Sequence, residues 1–301
     1  MEIRINEETV DITLEDEQVL GDVVDGIQDW LALNGYTVTA VRKDAEEIRL
    51  GARLEWQDDP VDEISKLEIT ALHPADLIVE KLTAAIQYLD LIREEGDPSS
   101  PVIADLLKGA DDVSEMIDDA LLSRTSASVS FGSRFKTLVH ATGIPVGEVS
   151  VEGFSEFLNY IGELMAVLHS RLRELTDPVN ELTASAPLLR DVLEKTGDIA
   201  VLLQTGEDSK ALGYLIRFLE VSQKMLRLVH NLGQHAVIDL STLTVDGTPI
   251  EEFTAELNVH LLELSQAMEA GDTVLIGDLL EYEIAPRLSA LLSTLETGGV
   301  L

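Results

Sequence analysis

Three times along this chain a run with helical apolar spacing stops at a glycine, meets an aspartate within two residues, and resumes as another apolar helix. The sites are Glu95-Gly96-Asp97, Gly206-Glu207-Asp208 and Gly271-Asp272. Glycine ends a helix in the left-handed conformation at least cost, and aspartate accepts hydrogen bonds from the free amides that begin the next one. Repeated stops and starts of this kind predict packed helical hairpins, which commits most of the chain to helix-on-helix packing.

The first 72 residues follow another rule. Ile3 and Ile5, then Val10, Ile12 and Leu14, alternate with polar residues on either side of Asn6-Glu7-Glu8, the pattern of two short strands joined by a tight turn. Asp16 is placed to cap a helix carrying Val19, Leu20, Val23, Val24, Ile27, Trp30 and Leu31 on its apolar face, with Asn34-Gly35 as the stop. The period then returns to two. Tyr36, Val38 and Ala40 alternate with Thr37, Thr39 and Val41, Lys43-Asp44 reads as a turn, and a last strand runs from Leu67 to Leu72 before His73-Pro74.

That order of elements, strand, strand, helix, strand, short strands, strand, resembles the β-grasp fold of ubiquitin-like domains over roughly residues 1–72. The resemblance implies at most a recognition or docking module, because one fold serves many purposes. Ubiquitin-like modifiers end their domain in a free Gly-Gly for conjugation, whereas here the last strand runs into Pro74 and more than two hundred further residues. Gly298-Gly299 is followed by Val300-Leu301 and reads as a frayed helix end. Modifier function is therefore not implied.

Beyond Pro74, Leu77, Ile78, Leu82, Ala85, Ile86, Leu89 and Ile92 form a stripe ending at Gly96, and Ser100-Pro101 opens a second helix through Ile117. Residues 125–149 read as a connection containing a short helix near Phe135-Leu138-Val139. Further helices follow from Phe154 to Leu168 and from Leu182 to Leu202, the latter with a break near Gly197. Asp208 to Leu232 reads as one long helix with Leu212, Leu215, Ile216, Leu219, Met225, Leu226 and Val229 on one broad face. After the turn-rich Val245-Asp246-Gly247-Thr248-Pro249, a final pair spans Ile250–Ala270 and 272–295, kinked or interrupted at Pro286. The turns at Gly96 and Gly271 precede similar Ile-x-Asp-Leu-Leu runs, consistent with duplication of a hairpin and equally with local capping. The expected architecture is α+β: a small N-terminal β-grasp-like domain over 1–73, then a mostly antiparallel helical domain over 74–301, divisible into sub-bundles 74–145 and 150–301. A β-lobe on an acidic helical tail resembles uncharacterised bacterial proteins of spirochaetes and clostridia.

Charge narrows the partners. The formal net charge is −35, from 56 acidic and 21 basic residues. Up to residue 75 there are 6 basic and 19 acidic residues, a net of −13, which leaves −22 for the rest, so both parts are acidic. Such a surface repels nucleic-acid phosphates and anionic lipid head groups, and neither nucleic acid nor membrane is expected as a partner. Cysteine is absent, which removes disulfides, thiolate metal sites and thiol catalysis. The N-terminus lacks a basic and then apolar leader, and no run reaches the ~18 apolar residues of a membrane span, so a cytoplasmic location is expected.

The chemistry-bearing residues form no constellation. Asp111, Asp112, Glu115, Asp118 and Asp119 place carboxylates on one helix side, the usual pattern of a solvated face. The histidines, His73, His140, His169, His230, His235 and His260, make no His-Glu-x-x-His, and His260-Leu261-Leu262-Glu263 is the reverse of a bundle metal motif and single. Gly-x-Ser-x-Gly does not occur, and Gly206-Glu207-Asp208-Ser209-Lys210 lacks the spacing of a phosphate loop. No catalytic residue, metal or cofactor is expected. Two features point instead to contacts. Arg217, Lys224, Arg227 and His230 lie along one helix away from its Leu-rich face, placed either to neutralise nearby carboxylates or to dock an acidic helix from a partner or second copy. Trp56, before Asp58-Asp59-Pro60, reads as core or as an exposed partner anchor. The expected function is a non-catalytic interaction or scaffold protein of the bacterial cytoplasm that binds a protein partner or itself. The alternatives are a chaperone-like bundle holding an export or assembly client, and an enzyme with a dispersed site.

Overall fold

The computed structural model of the chain describes residues 1–10, 17–121, 130–234 and 240–301. The chain is α+β and divides into two compact units, residues 1–168 and 169–301.

The first unit begins with a five-stranded mixed sheet, order β2-β1-β5-β3-β4, formed by β1 (Glu2–Ile5), β2 (Glu8–Val10), β3 (Thr37–Lys43), β4 (Glu46–Ile48) and β5 (Lys66–Leu72). The outer pairs are antiparallel; β1 and β5 run parallel at the centre, Ile3 opposite Leu67 and Ile5 opposite Ile69. Both hairpins turn on two residues with positive φ, Asn6-Glu7 and Asp44-Ala45, the geometry that matches strand twist. The second turn lies one residue beyond the expected Lys43-Asp44, where the Asp44 carboxylate accepts from the Ser65 and Lys66 amides. Asn6 ties the first hairpin to β5, its side chain donating to Ala71 O and accepting from Ala71 N.

The helix α1 (Leu20–Leu33) packs Leu20, Val23, Val24, Ile27 and Leu31 onto the sheet against Ile3, Val41, Leu67, Ile69 and Ala71. Strict alternation along β3 fails at one point. The β3–β5 register shifts between Val38 and Ala40, and this bulge reverses the parity so that Val41, not Ala40, enters the core. The expected strand residues Ile12 and Leu14 and the expected cap Asp16 lie outside the described residues.

Among the described residues, five further α-helices belong to this unit wholly or in part: α2 (Pro74–Glu95), α3 (Pro101–Leu106), α4 (Ala110–Leu121), α5 (Phe131–Ala141) and α6 (Val151–Thr176), the last continuing into the second unit. Ser100 caps α3 as its sequence suggested, accepting from the Val102 amide. The single helix expected from Pro101 to Ile117 is two, parted by a tight turn over Leu107–Gly109. In the stretch expected to be mainly connection, α5 is a full three turns; the front of that stretch, 125–129, lies outside the described residues. Phe135 on α5 packs its ring 5.5 Å from that of Phe157 on α6. The helices approach closely at Gly132, where a Cβ would stand 2.1 Å from Ser114 O, so α4 and α5 touch through backbone.

The second unit holds α7 (Pro178–Glu194), α8 (Thr196–Thr205), α9 (Asp208–Gln234), a short hairpin of β6 (Thr244–Val245) and β7 (Thr248–Pro249), then α10 (Ile250–Ala270), α11 (Thr273–Asp278) and α12 (Ala285–Thr297). Its apolar core runs through Leu189, Phe218, Leu228, Leu257, Leu264, Leu288 and Leu291. All three marker glycines, Gly96, Gly206 and Gly271, are left-handed C-caps with φ of 60°, 78° and 68°. Of the paired aspartates, Asp272 caps the next helix, accepting from the Leu275 amide, while Asp97 binds Ser99 and leaves capping to Ser100.

Pro286 interrupts the last helix as expected. The interruption takes the form of a π-helical segment, Leu279–Ile284, which places the proline in the first turn of α12 where its missing N–H costs little.

Candidate functional site

The last two turns of α6, the first turn of α7 and the C-terminal half of α9 carry a set of charged side chains that meet between the helices. On α9, Lys224, Arg227 and Asn231 recur at i, i+3 and i+7 and so share one face. Arg227 forks onto Glu174, with Nε 2.8 Å from Oε2 and Nη2 3.1 Å from Oε1, and the Asn231 amide donates to Glu174 O at 2.8 Å. Arg171 adds a third donor to the same carboxylate at 2.8 Å. Glu174 is only 2% exposed. Burial holds the Arg171 guanidinium below its ordinary value, an effect that Glu174 partly offsets. One turn away, Glu181 receives Lys224 Nζ at 2.7 Å and Arg173 Nε at 2.5 Å. Burial pushes the Glu181 carboxyl upward, but these two cations outweigh it and hold it below the carboxylate range.

The four cations Arg171, Arg173, Lys224 and Arg227 face two carboxylates, so this set carries two positive charges in a strongly acidic protein. Two of the residues expected to bind a partner, Lys224 and Arg227, are here, and their donors point at carboxylates of neighbouring helices. Arg217, two turns earlier on α9, stands apart, with a weak 3.9 Å approach to Asp191. His230 is exposed on α9 and lines a cavity of about 280 Å³ with Val229, Leu240, Ile250, Glu251 and Thr254. His235 lies outside the described residues. The signal for Glu174 was its i+3 spacing from Arg171, but spacing along one helix says nothing of the guanidinium that arrives from another.

Of the two tryptophans of the head, Trp56 takes the core position that was one of its two expected readings, and Trp30 departs from its assignment. Trp56 is 5% exposed, within the core beside Leu20 and Ile64, and donates from its indole to Arg49 O at 3.0 Å. The reading of Trp56 as an exposed anchor is corrected accordingly. The segment that holds it turns back on α1, where the Leu20 and Gly21 amides donate to Asp59 O and Gln57 O, so the indole is pressed inward despite its acidic neighbours. Trp30, assigned above to the apolar face, is 53% exposed. It lies one position before Leu31, about 100° around the helix from it, which carries the ring past the rim of the buried face. Leu33 is 87% exposed, and Tyr36 follows just after the helix stop, its ring edge-on to that of His73.

The acidic run on α4 serves structural contacts at three positions. Asp111 pairs with Lys136, Asp119 with Lys81, and Asp118 accepts from the Gly132 amide and the Ser130 hydroxyl at the start of α5. His260 sits against Glu263 at 3.2 Å on its own helix and 3.8 Å from Glu283. Among the described residues no group of three or more histidines and carboxylates is placed to hold a metal ion. The largest upward shifts belong to Tyr88 and Tyr160, each pushed up to about 12 by burial and each donating to a backbone carbonyl, of Leu106 and Phe131 respectively. These phenols act as helix ties.

Residues 1–73 match the family described as the TP0873 N-terminal domain, and residues 180–294 match one described as a domain of unknown function, DUF8042. A curated relative from Treponema pallidum (strain Nichols), bearing the name "Uncharacterized protein", is 31% identical over 90 residues, which are 30% of this chain and 44% of the relative. The chain thus spans less than half the length of that relative. No solved structure matches. No helix among the described residues is long and apolar enough to cross a membrane.

Proposed function

We propose that this protein is a non-catalytic interaction or scaffold protein of the bacterial cytoplasm, in which a ubiquitin-like β-grasp head recognises a protein partner and the helical part supports it. The observation that carries the reading is α1: its inner face is fully packed, yet it holds Trp30 and Leu33 in solvent. Tryptophan and tyrosine are the side chains most enriched at binding hot spots, and two of them flank this helix end. The β-grasp assignment is supported by the sheet order with its parallel central pair and by the helix between the two hairpins. The non-catalytic assignment is supported by carboxylates and guanidinia engaged in helix pairing.

The test is affinity purification at moderate salt with the whole chain as bait, beside the same chain carrying Leu33→Asn. The expected result is a stoichiometric partner with the first and its loss with the second. Failure of the unaltered chain to retain any specific partner would refute the interaction reading. The chaperone-like alternative draws on one observation: Leu212 and Ile216, one turn apart on α9 and expected in its core, are half exposed. A client held there would be released by Ile216→Asn and not by Leu33→Asn.

A further inference from the structure

One stripe of α1 faces water along its length: Asp22, Gly26, Asp29 and Leu33, at i, i+4, i+7 and i+11, with Trp30 beside it. Gly26 has nothing within 4 Å of the position a Cβ would take, so no packing among the described residues calls for it. At the C-terminal end of the stripe three features each favour a cation. The helix end carries the negative pole of its macrodipole, and its last turn holds no basic residue to balance it. Asp29 forms no ion pair among the described residues. The exposed Trp30 indole offers a ring face over which a guanidinium or ammonium stacks. Leu33 and Tyr36 supply apolar surface on either side.

We propose that the C-terminal end of α1 docks a partner polypeptide through an arginine or lysine flanked by aliphatic residues, the cation lying between Asp29 and Trp30 and the aliphatic groups against Leu33. The inference rests on the interaction reading above and names the chemistry of the partner. A second copy of this chain is a poor occupant, because α1 contains three aspartates and no lysine or arginine, and pairing it with itself would oppose like charges.

The absence of cysteine makes the test direct. Gly26→Cys in the whole chain provides a lone thiol one turn from Trp30 that leaves Asp29, Trp30 and Leu33 in place. Leu54→Cys provides a second exposed position on the head, outside α1 and next to Arg53, whose guanidinium is held by Asp25. Each is equilibrated with the peptides Cys-Leu-Arg-Leu and Cys-Leu-citrulline-Leu, both supplied as their mixed disulfides with 2-mercaptoethanol, in buffer containing 2-mercaptoethanol; the protein thiolate displaces 2-mercaptoethanol by thiol–disulfide exchange, and the protein–peptide disulfides are counted by mass spectrometry. At Gly26→Cys the arginine peptide is expected to be captured about tenfold over its neutral twin, the combined worth of an exposed ion pair and a cation–π contact. Adding Asp29→Asn is expected to reduce that preference about two- to fivefold. At Leu54→Cys the two peptides should be captured within about twofold of each other, since the adjacent Arg53 already holds Asp25 and beyond that pair the field of the whole protein is screened.

Equal preference at both positions would show nonspecific attraction to an acidic surface and overturn the proposal. So would a concentration-dependent homodimer that shields Trp30 from acrylamide, which would make a second copy the occupant. The two readings fail separately. A partner still retained by the Leu33→Asn chain would leave the interaction reading standing and remove this site, whereas arginine preference without any partner protein would do the reverse.

Discussion

Replacing Glu174 by glutamine should expose how much of the second unit depends on one carboxylate. The substitution keeps shape and one acceptor but removes the charge that three donors share. The two guanidinia left behind differ: the Arg171 side chain is 10% exposed, while that of Arg227 is 39% exposed and has a way to solvent. An uncompensated buried charge costs about 3–5 kcal/mol, whereas a freed surface partner costs about 0–1 kcal/mol. The glutamine carbonyl still accepts one hydrogen bond and returns about 1 kcal/mol of the first figure. The expected loss is therefore about 3 kcal/mol, or a urea midpoint lower by about 1.5 M for a denaturant dependence near 2 kcal/mol per molar. Both tryptophans lie in the head, so unfolding should be followed by amide exchange at Leu228 and Val229 of α9. Pairing the change with its partner, as Glu174→Leu with Arg171→Met, should recover most of the loss, because a well-packed apolar pair commonly substitutes for a buried ion pair. A Glu174→Gln chain within about 1 kcal/mol of the original would refute the reasoning, since it would mean the buried arginine finds water.

Glu181 supplies the pH dependence: a carboxyl held below its ordinary 4.5 in the folded chain contributes stability that is complete above that value and is lost as pH falls through the folded one. Glu181→Gln should cost about 1 kcal/mol at pH 7, and its thermal midpoint should converge with that of the original chain as pH falls below 4.5 and through the lowered folded pKa. Gly132→Ala should destabilise by about 3 kcal/mol, because the new methyl meets Ser114 O in helix backbone that cannot yield, and a far-UV melt would register it. Gly26→Ala should do the opposite and add about 1 kcal/mol, read from urea unfolding by the fluorescence of Trp56.

Period and punctuation were enough to read the α+β plan. Two-residue alternation marked β1 and β5, and the glycines at 96, 206 and 271 closed their helices in the left-handed form. What escaped depended on contacts between segments distant in sequence. Trp56, which the sequence left open between core and surface, is surrounded by acids along the chain but buried in space, because 57–59 bond back to the start of α1. Trp30 has apolar neighbours in sequence but an open helix flank in space. The bulge in β3 defeats parity within a single strand, and the π segment before Pro286 shows where a predicted kink is absorbed. For the cation set on α9, the sequence left neutralisation and docking open together. The carboxylates facing Lys224 and Arg227 come from helices some fifty residues away, beyond any local pattern.

Placing β5 between β1 and β3 makes the middle of the head's sheet its last strand to be synthesised. Until Lys66–Leu72 has emerged, the two hairpins have no common edge to join, and Asn6 waits for a partner 65 positions downstream. A nascent chain stopped short of that strand would display two loose ribbons and a greasy helix, so the order of synthesis itself leaves this lobe exposed to aggregation until its final seven residues arrive.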